Sequence, residues 1–147
     1  MLVFELEGGA RITLRPSGTE PKAKIYVETV GNAESLHEVG AVRAQLAKSS
    51  KTLANAFCMD MLHRVGITLP HWALEISDLV SVQDKMHWSA ELLPMLLKKI
   101  EIDPDNAAGW LQQELDDSSR ALLRPGIESF ASDWTGNRAV LLSCFQT

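Results

Sequence analysis

The chain has 147 residues, 46% hydrophobic and 22% charged, the proportions of a globular protein of one domain or a small domain with an extension. These values exclude a disordered, collagenous or membrane-spanning chain, since the longest apolar runs, such as 92–97, fall far short of the roughly 20 residues a spanning helix needs. Net charge is −5, but residues 1–69 hold eight Lys/Arg against seven Asp/Glu while residues 70–147 hold six against twelve; positive potential is therefore local, and nucleic acid is not an expected partner.

Residues 1–7 carry no basic leader followed by an apolar stretch, so they read as a strand entered mid-course and not as a secretory signal. The predicted elements begin with a short strand over 2–6, and Glu7-Gly8-Gly9 supplies a turn. Arg11-Ile12-Thr13-Leu14 alternates polar and apolar residues with period two. After the loop 15–21, Lys22, Lys24, Tyr26 and Glu28 interleave with Ala23, Ile25 and Val27 as a further strand. A small, mostly antiparallel sheet follows from this order. Asn32 is an expected N-cap for a long helix with Glu34 in its first turn. Leu36, Val39, Val42, Leu46, Leu53, Phe57 and Met61 form its apolar stripe. Ser49-Ser50 is a soft spot in it, and Gly66 closes it.

Beyond Pro70 the strand signals fade. Segments 73–88, 89–101 and 105–123 read as helices, with breaks expected at Asp103-Pro104-Asp105 and at Arg124-Pro125-Gly126. Residues 127–146 read as a further helix and an irregular tail. The fold class expected is α+β: a small antiparallel sheet with a packed helix over 1–66, then an all-α extension over 67–147.

The chemistry concentrates in Arg15-Pro16-Ser17-Gly18-Thr19-Glu20-Pro21. A phosphate dianion needs a fixed cation, hydroxyl and backbone N–H donors, and room for close approach. Arg15 offers a bidentate guanidinium that stays charged at any working pH. Ser17 and Thr19 offer hydroxyls, and successive N–H groups over 17–19 can form an anion-holding concavity. Gly18 admits a backbone conformation or approach closed to other residues. Pro16 and Pro21 stiffen the shoulders, and Lys22 and Lys24 add supporting charge. On composition alone, a plain Ser/Gly/Pro turn explains the segment equally well.

The string Arg-x-Ser-Gly-Thr-Glu-Pro set between strands, within residues 11–28, resembles the signature of the α-D-phosphohexomutase superfamily, which includes phosphoglucomutases, phosphomannomutases and phosphoglucosamine mutases. The resemblance covers roughly residues 2–65. It implies a partial TATA-box-binding-protein-like fold, the family's fourth, C-terminal domain, in which Arg15, Ser17, Gly18 and Thr19 contact the phosphate of a hexose or pentose phosphate. Lys24-Ile25-Tyr26 stands where many members have Arg-Val-Tyr, and the Pro-Lys-x-Lys pattern is more like the phosphoglucomutase/phosphopentomutase kind.

The family's phosphorylatable serine loop, its Asp-Gly-Asp-Gly-Asp metal loop and its Gly-Glu-x-Ser-Gly sugar-reading loop are not found in these 147 residues. The chain therefore reads as the C-terminal piece of a cytoplasmic mutase, inactive alone, with no catalytic residue, metal site or cofactor of its own. The parent enzyme's Mg²⁺ is expected in a domain outside it, and the remaining domains are expected partners. Asp103, Asp105, Asp116 and Asp117 are explained as helix caps or solvated charges. His37, His63, His71 and His87 match no short metal motif. Cys58 and Cys144 fit a reducing compartment, and Cys58 reads as a small core residue. Trp72, Trp88, Trp110 and Trp134 read as core anchors of the helical part, or else as an aromatic docking patch. The alternative function is therefore a helical interaction module, with self-association through 70–147 and a vestigial phosphate loop.

Overall fold

The computed structural model describes residues 1–19 and 23–146 and divides into two compact units, Met1–Val65 and Gly66–Thr147. The loop expectations on Glu20 and Pro21, and that of supporting charge on Lys22, lie outside the described residues.

Unit 1 is an α+β unit. Strands β1 (Leu2–Glu5), β2 (Arg11–Pro16) and β3 (Ala23–Glu28) form an antiparallel meander in that order. Gly8 and Gly9 sit at φ +80° and +81° in the β1–β2 turn, a left-handed region that residues with a Cβ enter only at a cost. Pairing of Phe4 with Ile12, Ile12 with Val27, and Leu14 with both Leu2 and Ile25 gathers the apolar side chains on one face. Arg11, Thr13, Arg15, Lys24, Tyr26 and Glu28 fall on the other, because alternate residues of a strand face opposite ways.

Helix α1 (Val39–Arg64) covers the apolar face, with the Phe4 and Phe57 rings 5.5 Å apart. Ile12, 3% exposed, is the centre of this small core, whereas Leu2 is 58% exposed; one helix does not span a three-strand face. The helix begins at Val39, not after Asn32, because Leu36 is 91% exposed and has nothing to pack against. The Glu34 N–H instead donates to the Glu38 carboxylate at 3.1 Å. Ser49-Ser50 produces no break. Ser50 Oγ lies 2.6 Å from Thr29 Oγ1 and ties α1 to the end of β3. Gly66, at φ +78°, follows the helix where a left-handed residue ends many helices.

Unit 2 is all helical: α2 (Val82–His87), α3 (Leu93–Ile102), α4 (Ala107–Glu114), α5 (Asp117–Asp133) and α6 (Arg138–Ser143), with single 3₁₀ turns at His71–Glu75 and Pro104–Asn106. The helix expected over 73–88 starts only at Val82. Ser81 sets that start: its Oγ accepts from the Asp84 N–H at 3.1 Å and donates to the Asp84 carboxylate at 2.7 Å, an N-cap arrangement. A π turn over Trp88–Leu92 joins α2 to α3 just before Pro94, whose ring conflicts with a regular α-helical carbonyl four residues back. The segments expected over 73–88 and 89–101 therefore meet in one helical run from Val82 to Ile102.

The break expected at Arg124-Pro125-Gly126 is likewise absent: α5 runs through it. Pro125 is exposed. Gly126 is buried against the 71–75 turn, where an added Cβ would stand 2.4 Å from Ile76 Cγ1 and 3.3 Å from the Trp72 carbonyl. The glycine serves close packing here, not a turn. Gly126→Ala is expected to destabilise the unit by about 1–2 kcal/mol, since overpacking outweighs the roughly 1 kcal/mol helical advantage of alanine. Urea unfolding followed by tryptophan emission checks this.

The core holds Leu93, Leu96 and Ile100 of α3, Leu111 of α4, Leu123, Ile127 and Ala131 of α5, and Leu141 and Phe145. Trp88 is 2% exposed and meets Phe145 edge-on at 5.8 Å. Trp72 and Trp134 flank Phe130 at 5.5 and 5.9 Å. Asp116 and Asn137 cap α5 and α6 through the N–H groups of Ser119 and Val140; the bond from Ser119 holds the Asp116 carboxyl below the usual range. Burial pushes the Cys144 thiol up, so it behaves as core. Among the described residues, no helix is long and apolar enough to cross a membrane.

Candidate functional site

Arg15 and Pro16, expected in the loop 15–21, instead extend β2 and pair with Lys24 and Ala23, so the described part of the loop is Ser17–Thr19, held at the end of β2. Register places Arg15 opposite Lys24 and Thr13 opposite Tyr26. Both cations thus stand on the polar face at the loop end of the sheet. Arg11, further along that face, is engaged by Glu5 at 3.1 Å and Glu28 at 3.8 Å. These are exposed pairs of small energetic worth, but they offset the Arg11 charge and leave the positive potential toward Arg15 and Lys24.

The Arg15 guanidinium has a definite seat. Its Nη2 donates to the Tyr26 hydroxyl at 2.7 Å, and its Cζ lies 5.1 Å from the centroid of the Tyr26 ring. Tyr26 is diagonal to Arg15, two register positions further from the loop on the same face, so the side chain lies back over the sheet face. Ser17 is half-buried while Gly18 and Thr19 are exposed. Gly18 does not use a left-handed backbone, since the positive-φ glycines are Gly8, Gly9 and Gly66. A Cβ at Gly18 would meet nothing within 4 Å. The value expected of Gly18 as a special conformer is thus absent, and what remains is open space for a ligand to come close to the backbone.

Tyr26, which seats the Arg15 guanidinium, carries no local signal of that role in sequence. It appears in sequence as one more member of an alternating strand, and only the register across the loop brings it to Arg15. The alternation Thr13/Arg15 against Lys24/Tyr26 was the available signal, and a register assumption would have been needed to use it. Of the histidines, His87 lies 3.3 Å from Glu91 one helical turn on. Among the described residues, no group of three or more His, Cys, Asp or Glu side chains is placed to hold a metal ion.

Comparison with known proteins bears on the same segment. Residues 1–47 match the family model of the phosphoglucomutase/phosphomannomutase C-terminal domain. A probable phosphomannomutase of Haemophilus influenzae is 58% identical over 31 residues, which make up 21% of this chain and 6% of that protein. The chain therefore spans a small part of that relative's length. No solved structure matches. The family match ends within α1, short of the roughly 2–65 that the resemblance was expected to cover. The helices of unit 2 lie outside it. Over residues 1–47, this chain is similar to the C-terminal domain of phosphoglucomutases and phosphomannomutases.

Proposed function

We propose that unit 1 holds the phosphate group of a sugar phosphate, with Arg15 and the Ser17–Thr19 loop as the grip and Lys24 as supporting charge. The observation that carries the reading is the Arg15 guanidinium, seated on Tyr26 at the edge of an open loop whose glycine leaves the backbone accessible. A guanidinium ordered before the ligand arrives loses less conformational freedom on binding. The similarity of residues 1–47 to a phosphoglucomutase/phosphomannomutase domain supports a hexose or pentose phosphate as the ligand class.

In this reading the parent activity is an intramolecular phosphotransfer on sugar phosphates. The remaining domains of such an enzyme would be the partners of this chain, and the Mg²⁺ of the reaction would be held by residues outside it. The contribution of Arg15 and its loop would be positioning and charge neutralisation, which dominate phosphoryl-transfer catalysis.

Calorimetric titration of the full chain with glucose 6-phosphate and with glucose tests the reading. The phosphate ester is expected to bind with millimolar affinity that weakens as salt is added, because one loop meets one end of the ligand and the attraction is screened. Glucose at the same concentration is expected to give no heat of binding. Equal binding of both sugars, or of neither, would contradict the proposal.

A further inference from the structure

We infer that Tyr26 is the positioning residue of the phosphate grip, and that the anion is taken on the sheet face above it, not at the loop tip alone. The inference rests on the phosphate-binding reading of Arg15 and adds a residue to it. Three structural features converge on Tyr26. Its hydroxyl accepts from Arg15 Nη2 at 2.7 Å. Its ring underlies the same guanidinium, 5.1 Å from Cζ. Its register partner Thr13 and the diagonal pair Arg15 and Lys24 surround it with a hydroxyl and two cations.

The geometry gives each part a task. A guanidinium has five N–H donors in a rigid plane. The bond to Tyr26 uses one of them and fixes the plane, leaving other donors for an incoming oxyanion. The ring beneath limits how far the long side chain can wander. The Tyr26 hydroxyl accepts from Arg15, so its own proton is available to donate to the same anion. Tyr26 is 43% exposed, which lets a ligand reach it. A purely structural tyrosine on this face would have no need of the hydroxyl bond, because the apolar core lies on the other side of the sheet.

Two variants of the full chain separate the tasks. Tyr26→Phe keeps the ring and removes the hydroxyl; Tyr26→Ala removes both. Inorganic phosphate is the probe, followed by its effect on the Arg15 Nε–Hε signal and, in the parent and the Phe variant, on the ring signals at position 26. Tyr26 is the only tyrosine in the sequence, so its ring signals are unambiguous. Phosphate affinity is expected to fall about threefold in Tyr26→Phe and about tenfold in Tyr26→Ala, the scale of one hydrogen bond and one exposed cation–π contact. In the parent chain, Arg15 and Tyr26 signals should move together along one saturation curve.

Parent-like phosphate affinity in both variants, with Arg15→Gln abolishing binding, would overturn the role of Tyr26 while leaving the phosphate reading intact. Failure of the parent chain to bind phosphate would overturn both. Tyr26→Phe preserves the packing of the strand, so its result stands even if the alanine variant is poorly folded.

Discussion

Alanine in place of Trp88 is expected to unfold most of unit 2, at a cost of about 3–5 kcal/mol against the roughly 5–15 kcal/mol that holds a typical domain together. Trp88 sits in the π turn between α2 and α3 at 2% exposure and meets Phe145 edge-on. Removing it opens a cavity that neighbours from separate helices cannot close together. Trp88→Phe should cost far less, about 1 kcal/mol. Its Nε1 is buried without a hydrogen-bond partner, a condition that itself costs about 1–3 kcal/mol, and phenylalanine removes that orphan donor along with some ring area. Far-UV circular dichroism in urea, read beside the emission of Trp72, Trp110 and Trp134, checks both variants. These tryptophans all lie in unit 2, so emission reports that unit alone. An alanine variant as stable as the parent would mean that Trp88 does not anchor the helices.

The second large effect is expected at Arg120. Its side chain is 3% exposed and projects from α5; Nη1 donates to the Cys144 carbonyl at 3.0 Å, and Nη2 pairs with the Asp117 carboxylate. Arg120→Ala removes the charge-assisted donor to that carbonyl and leaves a void, at an expected cost of about 2–4 kcal/mol. Arg120→Met restores the stem's volume but not the donor, so about half of that loss should remain. Asp117→Asn should cost less than about 1 kcal/mol, because Asp117 is 80% exposed and its pair is screened by water. Comparable losses in Asp117→Asn and Arg120→Ala would assign the energy to the ion pair and contradict the role given to the Cys144 carbonyl.

Both residues owe their burial to tertiary contacts that local sequence does not encode. Trp88 was legible as a core anchor from its place among helical segments, but its depth was set by a π turn that no spacing rule announced. Arg120 gave no signal at all, since a buried arginine is recognised only when the acceptor it serves is in place, and Cys144 lies 24 residues away. The sheet was read well for a simple reason: period-two alternation at 11–14 and 22–28 and the Gly8-Gly9 turn are local features. The start of α1 was not. Asn32 and Glu34 look like a cap and a first turn, but Leu36 finds no surface to pack on, and tertiary burial decided where the helix began. Pro125-Gly126 failed for the converse reason. The pair reads as a break in isolation, yet the helix tolerates Pro125 on its exposed side and needs Gly126 for its close contact with Ile76. In the candidate site, Arg15 and Pro16 lie in β2 and not in the expected loop, and the seating of Arg15 on Tyr26 leaves no local trace, because the two meet through strand register alone.

The proposed anion grip is Arg15 and the loop that follows it. The most direct test is an amide and arginine side-chain spectrum of the isotope-labelled full chain during titration with glucose 6-phosphate, repeated for Arg15→Gln. Saturable shifts confined to residues 15–19, 24 and 26 are expected, with their loss in the variant while the rest of the spectrum is unchanged. Shifts centred in residues 66–147, or shifts at the loop that survive Arg15→Gln, would contradict it.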